Sequence, residues 1–311
     1  MSYNKSLKQD KKQLAFAPSS LILANNFLPL NEALGNQFCF IEVLMLEIQW
    51  IFSFLVLGSF VGFMAGLLGI GGGGIMVPIL TSIFLLQGVE PDNVVHLALG
   101  TSMASMIFTS YSSLRAHNAK GGVLWKVVKG MAVGIVLGTF LSTFLASYLS
   151  SLYLAIFFTL FMAFVSSQMF LNKKPKPSRE LAGNTGLFGA GSGIGAISAL
   201  VSIGGGSLTV PYLTWQNVEI KKAIGTSAAI GLPISIAGTL GYLVNGLGHS
   251  SVEAYTLGFV YFPAVLLISA SSFFMAPLGA SFAHKLPVPV LKKIFAILLI
   301  ILSAKMLIAL L

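Results

Sequence analysis

The sequence predicts an all-α polytopic membrane protein that contains two internal repeats. Of its 311 residues, 56% are hydrophobic and only 9% are charged, whereas soluble domains carry roughly 25% charged residues. Apolar runs long enough to span a bilayer as helices recur from residue 48 to the C-terminus. The short alternating segments of a β-barrel are absent from the sequence. Two glycine-rich stretches interrupt the apolar runs, one in each half of the chain.

The charge and cysteine content exclude several other classes of protein. The net charge of +9 would suit a nucleic-acid partner, but in a membrane protein Lys and Arg collect in cytoplasmic loops. We therefore expect a lipid bilayer and no nucleic acid as partner. Cys39 is the only cysteine of the sequence, so an intrachain disulfide and a thiolate metal site are excluded. The four histidines lie near helix ends rather than in a cluster, and we infer neither a metal nor a cofactor.

Residues 1–47 differ from the rest of the chain. Four lysines precede an apolar stretch, residues 14–30, which prolines and asparagines interrupt, and no convincing cleavage site of a signal peptide follows. We expect an N-terminal extension that is poorly ordered or interfacial and not part of the native protein if translation starts at Met45. N-terminal sequencing of the native protein tests this hypothesis, because a mature start well before Met45 would contradict it.

Apolar segments divide the remainder into two transmembrane repeats, residues 48–171 and 183–311, which a polar cytoplasmic linker, residues 172–182, separates. The segments predicted in the first repeat are Trp50–Leu68, Ile75–Gln87, Asn93–Arg115, Trp125–Leu149 and Leu152–Leu171. Those predicted in the second are Gly183–Ile203, Ser207–Asn217, Ala223–Asn245, Ala254–Ala276 and Val290–Leu311. Ala254–Ala276 is the least regular of them, because two prolines interrupt it.

Two motifs occur twice, in the same order, which indicates internal duplication. The first is a glycine run followed by proline, Gly69-Ile-Gly-Gly-Gly-Gly-Ile-Met-Val-Pro78 and Ile203-Gly-Gly-Gly-Ser-Leu-Thr-Val-Pro211. The second is Ala98-Leu-Gly-Thr-Ser102 and Ala223-Ile-Gly-Thr-Ser227. Successive glycines each cost a helix ~1 kcal/mol relative to alanine, so we interpret each glycine run as a helix break with Pro78 or Pro211 as its structural helix-breaking proline.

The breaks are candidate anion sites. The N-terminus of a helix exposes unpaired N–H groups with partial positive charge, and glycine lets a ligand approach the backbone. Hydroxyls of the Gly-Thr-Ser motif, on the second apolar segment after each glycine run, would add donors. The predicted substrate-binding residues are Gly71, Gly72, Gly73, Gly74, Thr101, Ser102, Gly204, Gly205, Gly206, Ser207, Thr226 and Ser227. The alternative is that the glycines serve close helix packing and that the hydroxyls bond to carbonyls of their own helices.

Loop charges favour an inverted relation between the repeats. Basic residues occupy the loop after the Thr101 helix and the central linker, whereas the loop at residues 246–253 has no Lys or Arg. Inversion requires that each helix–glycine–helix unit returns to its side of entry as a re-entrant hairpin. The alternative is a single broken helix, which gives eight crossings and a parallel repeat.

The paired motifs resemble those of the sulfite exporter TauE/SafE family over residues from about 48 to 311. The resemblance implies a permease in the plasma or inner membrane for a small sulfur-containing anion, such as sulfite or sulfoacetate. Gly74 stands where the second copy has Ser207, so the implied site is not symmetric. The resemblance leaves open which anion is moved, in which direction and in what oligomeric state.

Three other functions are alternatives to a permease. An anion channel would use the broken helices as a filter, and a membrane scaffold would bind no substrate. An intramembrane enzyme is not expected, because Ser102 and Ser227 have no His or Asp partner at membrane depth. No acidic residue lies within the predicted spans, which favours uniport or coupling through protonation of the anion itself.

Overall fold

The computed structural model describes residues 48–67, 72–171, 179–247, 255–282 and 288–311. Ten helices occupy these residues together with one short hairpin. The helices are α1 Ile48–Leu67, α2 Gly73–Leu86, α3 Pro91–Asn118, α4 Trp125–Tyr148, α5 Ser151–Leu171, α6 Asn184–Val201, α7 Gly206–Trp215, α8 Ile220–Gly246, α9 Phe262–Phe282 and α10 Val288–Ile308. The strands are β1 Thr256–Leu257 and β2 Val260–Tyr261.

Six of these helices, α1, α3, α4, α5, α8 and α9, are long and apolar enough to cross a membrane. The contacts divide the chain into two units, Met1–Phe52 and Ser53–Leu311, and the helix bundle described below belongs to the second. The predicted N-terminal extension and most of the predicted linker lie outside the described residues, so those expectations stay predictions.

The predicted helix Ala254–Ala276 is wrong in its first part. Its described residues begin with an antiparallel hairpin in which Thr256 pairs with Tyr261 and Leu257 with Val260, and α9 starts only at Phe262. Proline lacks an N–H group and has a fixed φ, so Pro263 fits the first turn of a helix rather than its interior. Pro277, in contrast, lies inside α9.

Residues in the first and last turns account for the bounds of α3, the longest of the described helices. Pro91 occupies its first turn, Asp92 adds a negative charge there, and Arg115 and His117 lie in its last turn. The charges of Asp92 and Arg115 complement the partial charges of the two helix ends. The middle of α3 is buried almost all round, which places this helix at the centre of the bundle.

Small residues let α4 and α6 pack with their backbones in contact. A Cβ on Gly191 would lie 2.6 Å from the Met131 carbonyl oxygen, and one on Gly195 would lie 2.6 Å from the Ile135 oxygen. The same kind of contact joins α1 to α9, where a Cβ on Gly62 would lie 2.6 Å from the Ser272 oxygen. In bilayers such contacts drive helix association through close van der Waals packing.

The order of contacts fixes the direction of several helices relative to α3. Met103 and Ser110 of α3 meet Gly238 and Gly231 of α8, so these two helices are antiparallel. Thr101 and Thr109 contact Tyr261 and Ser272, so α9 runs parallel to α3. By the same test α1 is parallel to α9, because Gly58 and Gly62 lie beside Ile268 and Ser272.

The directions of α4 and α6 follow in the same way. The residues flanking the start of α4 contact the start of α8, since Leu124 lies beside Thr226, and Thr143 lies beside Gly241 further along. These two helices are therefore parallel. Gly130 and Gly138 of α4 meet Leu187 and Ser192 of α6 in order, so α6 also runs parallel to α4.

Candidate functional site

The two glycine breaks share one backbone geometry. Gly72 precedes α2 with φ 75° and ψ −15°, and Gly205 precedes α7 with φ 77° and ψ −21°. Residues with a Cβ rarely adopt this left-handed conformation. No side chain of the described residues caps either helix. Both breaks therefore present uncapped helix N-termini.

The two breaks meet. A Cβ on Gly73 would overlap the carbonyl oxygen of Ser202, which directly follows α6 in the left-handed conformation with φ 48°. The start of α2 thus lies against the turn that leads to α7. Residues that are about 130 positions apart in the sequence form one buried centre.

One face of α3 lies beside the second break. Ser102 and Ser202 share a hydrogen bond between their hydroxyls, and Ser202 Oγ lies 3.6 Å from the Met106 sulfur. One turn further on, the Ser110 hydroxyl and the Gly204 carbonyl oxygen both lie near Gly231 of α8. Positions 102, 106 and 110 share one helix face. The centre is therefore made of α3, the second break and α8, with Gly73 facing it from the first break.

Half of the first four backbone N–H groups of each of these two helices are paired. The N–H groups of Ile75 and Met76 bond to the Gly72 carbonyl, and those of Leu208 and Thr209 bond to the Gly205 carbonyl. This leaves the N–H groups at the first two positions of each helix without an acceptor among the described residues. Those positions are Gly73 and Gly74 of α2 and Gly206 and Ser207 of α7. They are predicted site residues, whereas Gly71 lies outside the described residues.

The predicted hydroxyls fall into two groups. Ser102 contributes to the centre, but its counterpart Ser227 donates to the Ile224 carbonyl of its own helix at 2.8 Å. Thr101 and Thr226 accept hydrogen bonds from backbone N–H groups, of Tyr261 at 3.0 Å and Leu124 at 2.9 Å. A role of Thr101, Thr226 and Ser227 in anion binding stays a prediction.

Gly100-Thr101 and Gly225-Thr226 each contact a loop that precedes a helix of the other half of the chain. A Cβ on Gly100 would overlap the Phe259 carbonyl oxygen, and one on Gly225 would overlap the Gly122 oxygen. Tyr261 directly precedes α9 and Leu124 directly precedes α4, so each threonine fixes the start of a helix from the other half of the chain.

We expect Thr101→Val and Thr226→Val each to lower the melting temperature of the purified protein. Each change removes the side-chain acceptor of a part-buried N–H group, and an N–H group left unsatisfied in the interior costs about 1–3 kcal/mol. The matched Thr→Ser variants retain the hydroxyl and are the controls. Differential scanning fluorimetry in detergent makes the comparison, and equal melting temperatures for the Val and Ser variants would contradict the assignment.

Both motif prolines lie inside the helices that follow the breaks, Pro78 in α2 and Pro211 in α7. Because proline has no N–H group, the carbonyls of Gly74 and Ser207, four residues earlier, have no helical donor at these positions. Each helix continues past its proline.

Sequence reasoning missed Ser202 and a third repeated motif. Ser202 precedes the second glycine run and has no hydroxyl counterpart in the first, so comparison of the two copies does not indicate it.

The missed motif is a turn that occurs twice. The turns Gln87-Gly-Val-Glu90 and Gln216-Asn-Val-Glu219 join α2 to α3 and α7 to α8. Their second residues have φ 89° and 60°. A search for the pattern Gln-x-Val-Glu would have found this motif.

Helix lengths, apolar surfaces and a buried centre of broken helices define a multi-pass membrane protein. The sequence model of the sulfite exporter TauE/SafE family matches residues 54–306. The chain belongs to this family.

Curated relatives agree with this assignment. The chain is 36% identical over 254 residues to a "Probable membrane transporter protein" of Haemophilus influenzae, a match that covers 81% of this chain and 96% of the relative. It is 27% identical to the "Probable membrane transporter protein YdhB" of Bacillus subtilis, with 74% and 89% covered. A probable membrane transporter protein of Methanocaldococcus jannaschii is 26% identical, with 75% and 86% covered. No solved structure matches the chain.

Proposed function

We propose that the protein is a permease that moves a small anion, a sulfur oxyanion or organosulfonate of the sulfite or sulfoacetate type, by alternating access around the meeting point of the two breaks. The observation that carries the proposal is the contact between Gly73 of the first break and Ser202 of the second. It supports a common binding centre to which both helix N-termini contribute. The family name supports the class of anion.

The chemistry of this centre suits a weakly held anion. Unpaired N–H groups and the positive ends of two helix dipoles attract negative charge, and the low dielectric of the interior strengthens that attraction. The described residues that line the meeting point include hydroxyls but no Lys or Arg. A fixed positive side chain would bind an anion more tightly, and release is part of transport.

We also propose that the two halves are inverted repeats. The matched helix pairs are α1 with α6, α3 with α8, and α4 with α9, and the members of each pair run in opposite directions by the contacts given above. The short turns after α2 and α7 support re-entrant hairpins, because each reverses the chain into the next helix. An inverted pair of hairpins enters one centre from opposite sides, which is the geometry that alternating access uses.

Charge supports the orientation of the proposed repeats. The end of the bundle at which α3 finishes and α4 and α8 begin carries exposed basic residues, namely Arg115, Lys120, Lys126, Lys129, Lys221 and Lys222. The opposite end, at which α3 begins, carries Glu90 and Asp92, which are exposed. By the positive-inside rule the first end faces the cytoplasm.

The inverted arrangement predicts that Ala119→Cys and Leu247→Cys label from opposite sides of the membrane. Both positions are exposed at helix ends, and Cys39 would be replaced by serine in the background. An impermeant maleimide applied to intact cells and to inverted vesicles makes the measurement. Labelling of both cysteines from the same side would favour a parallel repeat with eight crossings.

Uptake by proteoliposomes tests the proposed function. Purified protein would be supplied with labelled sulfite, sulfate, thiosulfate, sulfoacetate or lactate, and protein-free liposomes serve as the control. We expect saturable flux of at least one sulfur anion. Flux that rises linearly with concentration would indicate a channel, and no flux of any anion would favour a scaffold.

A further inference from the structure

The second break carries side-chain hydroxyls in the first turn of its helix, whereas the first break carries none. Ser207 and Thr209 lie in the first turn of α7, and the corresponding residues of α2 are Gly74 and Met76. The two breaks therefore offer a ligand different groups, although their backbone conformations match.

Thr209 has a buried hydroxyl without a hydrogen-bond partner. The residue is 0% exposed, and its Oγ1 has no partner in the described part of the chain. Oγ1 lies 3.2 Å from the position that a Cβ on Gly205 would take, so the hydroxyl lies at the turn of the second break. The Ser207 hydroxyl is likewise buried and unpaired among the described residues. A buried hydroxyl without a partner is unfavourable, and the position of these two at the turn of the break suits an acceptor on a ligand.

The usual alternative, a bond to a carbonyl of the same helix, does not apply to Thr209. Thr214 on the same helix forms such bonds, to the Val210 oxygen at 2.9 Å and the Pro211 oxygen at 3.0 Å. For Thr209 the carbonyls of this kind are those of Gly205 and Gly206, four and three residues earlier, and its Oγ1 bonds to neither. The Gly205 carbonyl accepts the N–H groups of Leu208 at 3.1 Å and Thr209 at 2.6 Å instead.

We infer that the hydroxyls of Thr209 and Ser207 donate hydrogen bonds to oxygen atoms of the transported anion, so that the second break is its principal binding half. This inference rests on the proposed anion transport. The N–H groups of Gly206 and Ser207 lie in the same helical turn and supply further donors. An anion with two or more acceptor oxygens matches this set, because each hydroxyl and each N–H group donates one hydrogen. The first break contributes backbone donors alone.

Thr209→Val tests the inference, because it removes the hydroxyl and keeps the shape of the side chain. We expect the KM for the sulfur anion that the wild type transports to rise roughly 10- to 100-fold, the loss that removal of one hydrogen bond to a charged group produces. We also expect the melting temperature without anion to stay the same or rise, since an unpaired hydroxyl has been removed. Thr214→Val is the matched control on the same helix, and we expect it to keep the wild-type KM.

The outcomes separate the inference from the proposed function. An unchanged KM in Thr209→Val, with or without a lower melting temperature, would overturn the inference and leave anion transport intact. If Thr209→Val does not fold, Thr209→Ala removes the same hydroxyl, and an unchanged KM there has the same meaning. Wild-type protein that transports none of the tested anions would overturn the proposed function and the inference together.

Discussion

Replacing Gly73 with alanine is expected to abolish anion transport while the protein still inserts into the membrane. The new Cβ would overlap the carbonyl oxygen of Ser202, and backbone cannot move aside as a side chain can. The two breaks must then separate, so the donors of α2 leave the centre. Loss of two hydrogen bonds to an anion, each worth about 1.5–3 kcal/mol, lowers affinity more than ~100-fold.

Gly189→Ala is the matched control for this prediction. No atom lies within 4 Å of the position of its Cβ, and alanine favours a helix over glycine by ~1 kcal/mol. Uptake would be normalised to the amount of monodisperse protein that size-exclusion chromatography recovers. Wild-type uptake by Gly73→Ala would contradict the proposal that the breaks form one centre.

Gly100→Ala and Gly225→Ala are expected to produce the largest losses of stability. In each variant the methyl group overlaps a backbone carbonyl, of Phe259 or Gly122, in the loop that precedes α9 or α4. Overpacking of this kind costs typically ~1–3 kcal/mol, and displacement of the loop also breaks the hydrogen bond of the adjacent threonine. Both variants should show clearly lower melting temperatures and reduced transport.

The control for this pair is Gly193→Ala, because its Cβ has no neighbour within 4 Å. It should melt at the wild-type temperature or above it. If Gly100→Ala and Gly225→Ala melted with the control, the close contact between the Gly-Thr motifs and the two loops would be refuted.

The apolar runs predicted most of the helices because hydropathy and length suffice where every backbone group must be paired internally. The helices α4 and α5 differ from their predicted ranges by one residue at one end. The start of α9 was misplaced, since hydropathy does not distinguish an apolar hairpin from a helix. In that segment Gly258, at φ 55°, permits the turn, and Pro263 fixes where the helix begins.

The candidate site was only partly predictable. The glycine runs indicated where the chain breaks, because a run of glycines inside a membrane helix is costly. The contact between Gly73 and Ser202 depends on tertiary packing, which no local sequence pattern encodes. The Gly-Thr-Ser motif occurs twice in the sequence, which makes Thr101 and Thr226 candidate ligands, whereas the structure places both beside loop N–H groups. Thr209 has no hydroxyl counterpart in the first glycine run, so the repeated motifs do not indicate it.

The central proposal is that the anion binds where the two breaks meet. Isothermal titration of purified protein with sulfite and with sulfoacetate tests this claim most directly. We predict saturable binding of at least one of these anions by the wild type and by Gly189→Ala, and no measurable binding by correctly folded Gly73→Ala. Equal binding by Gly73→Ala and the wild type would contradict the claim.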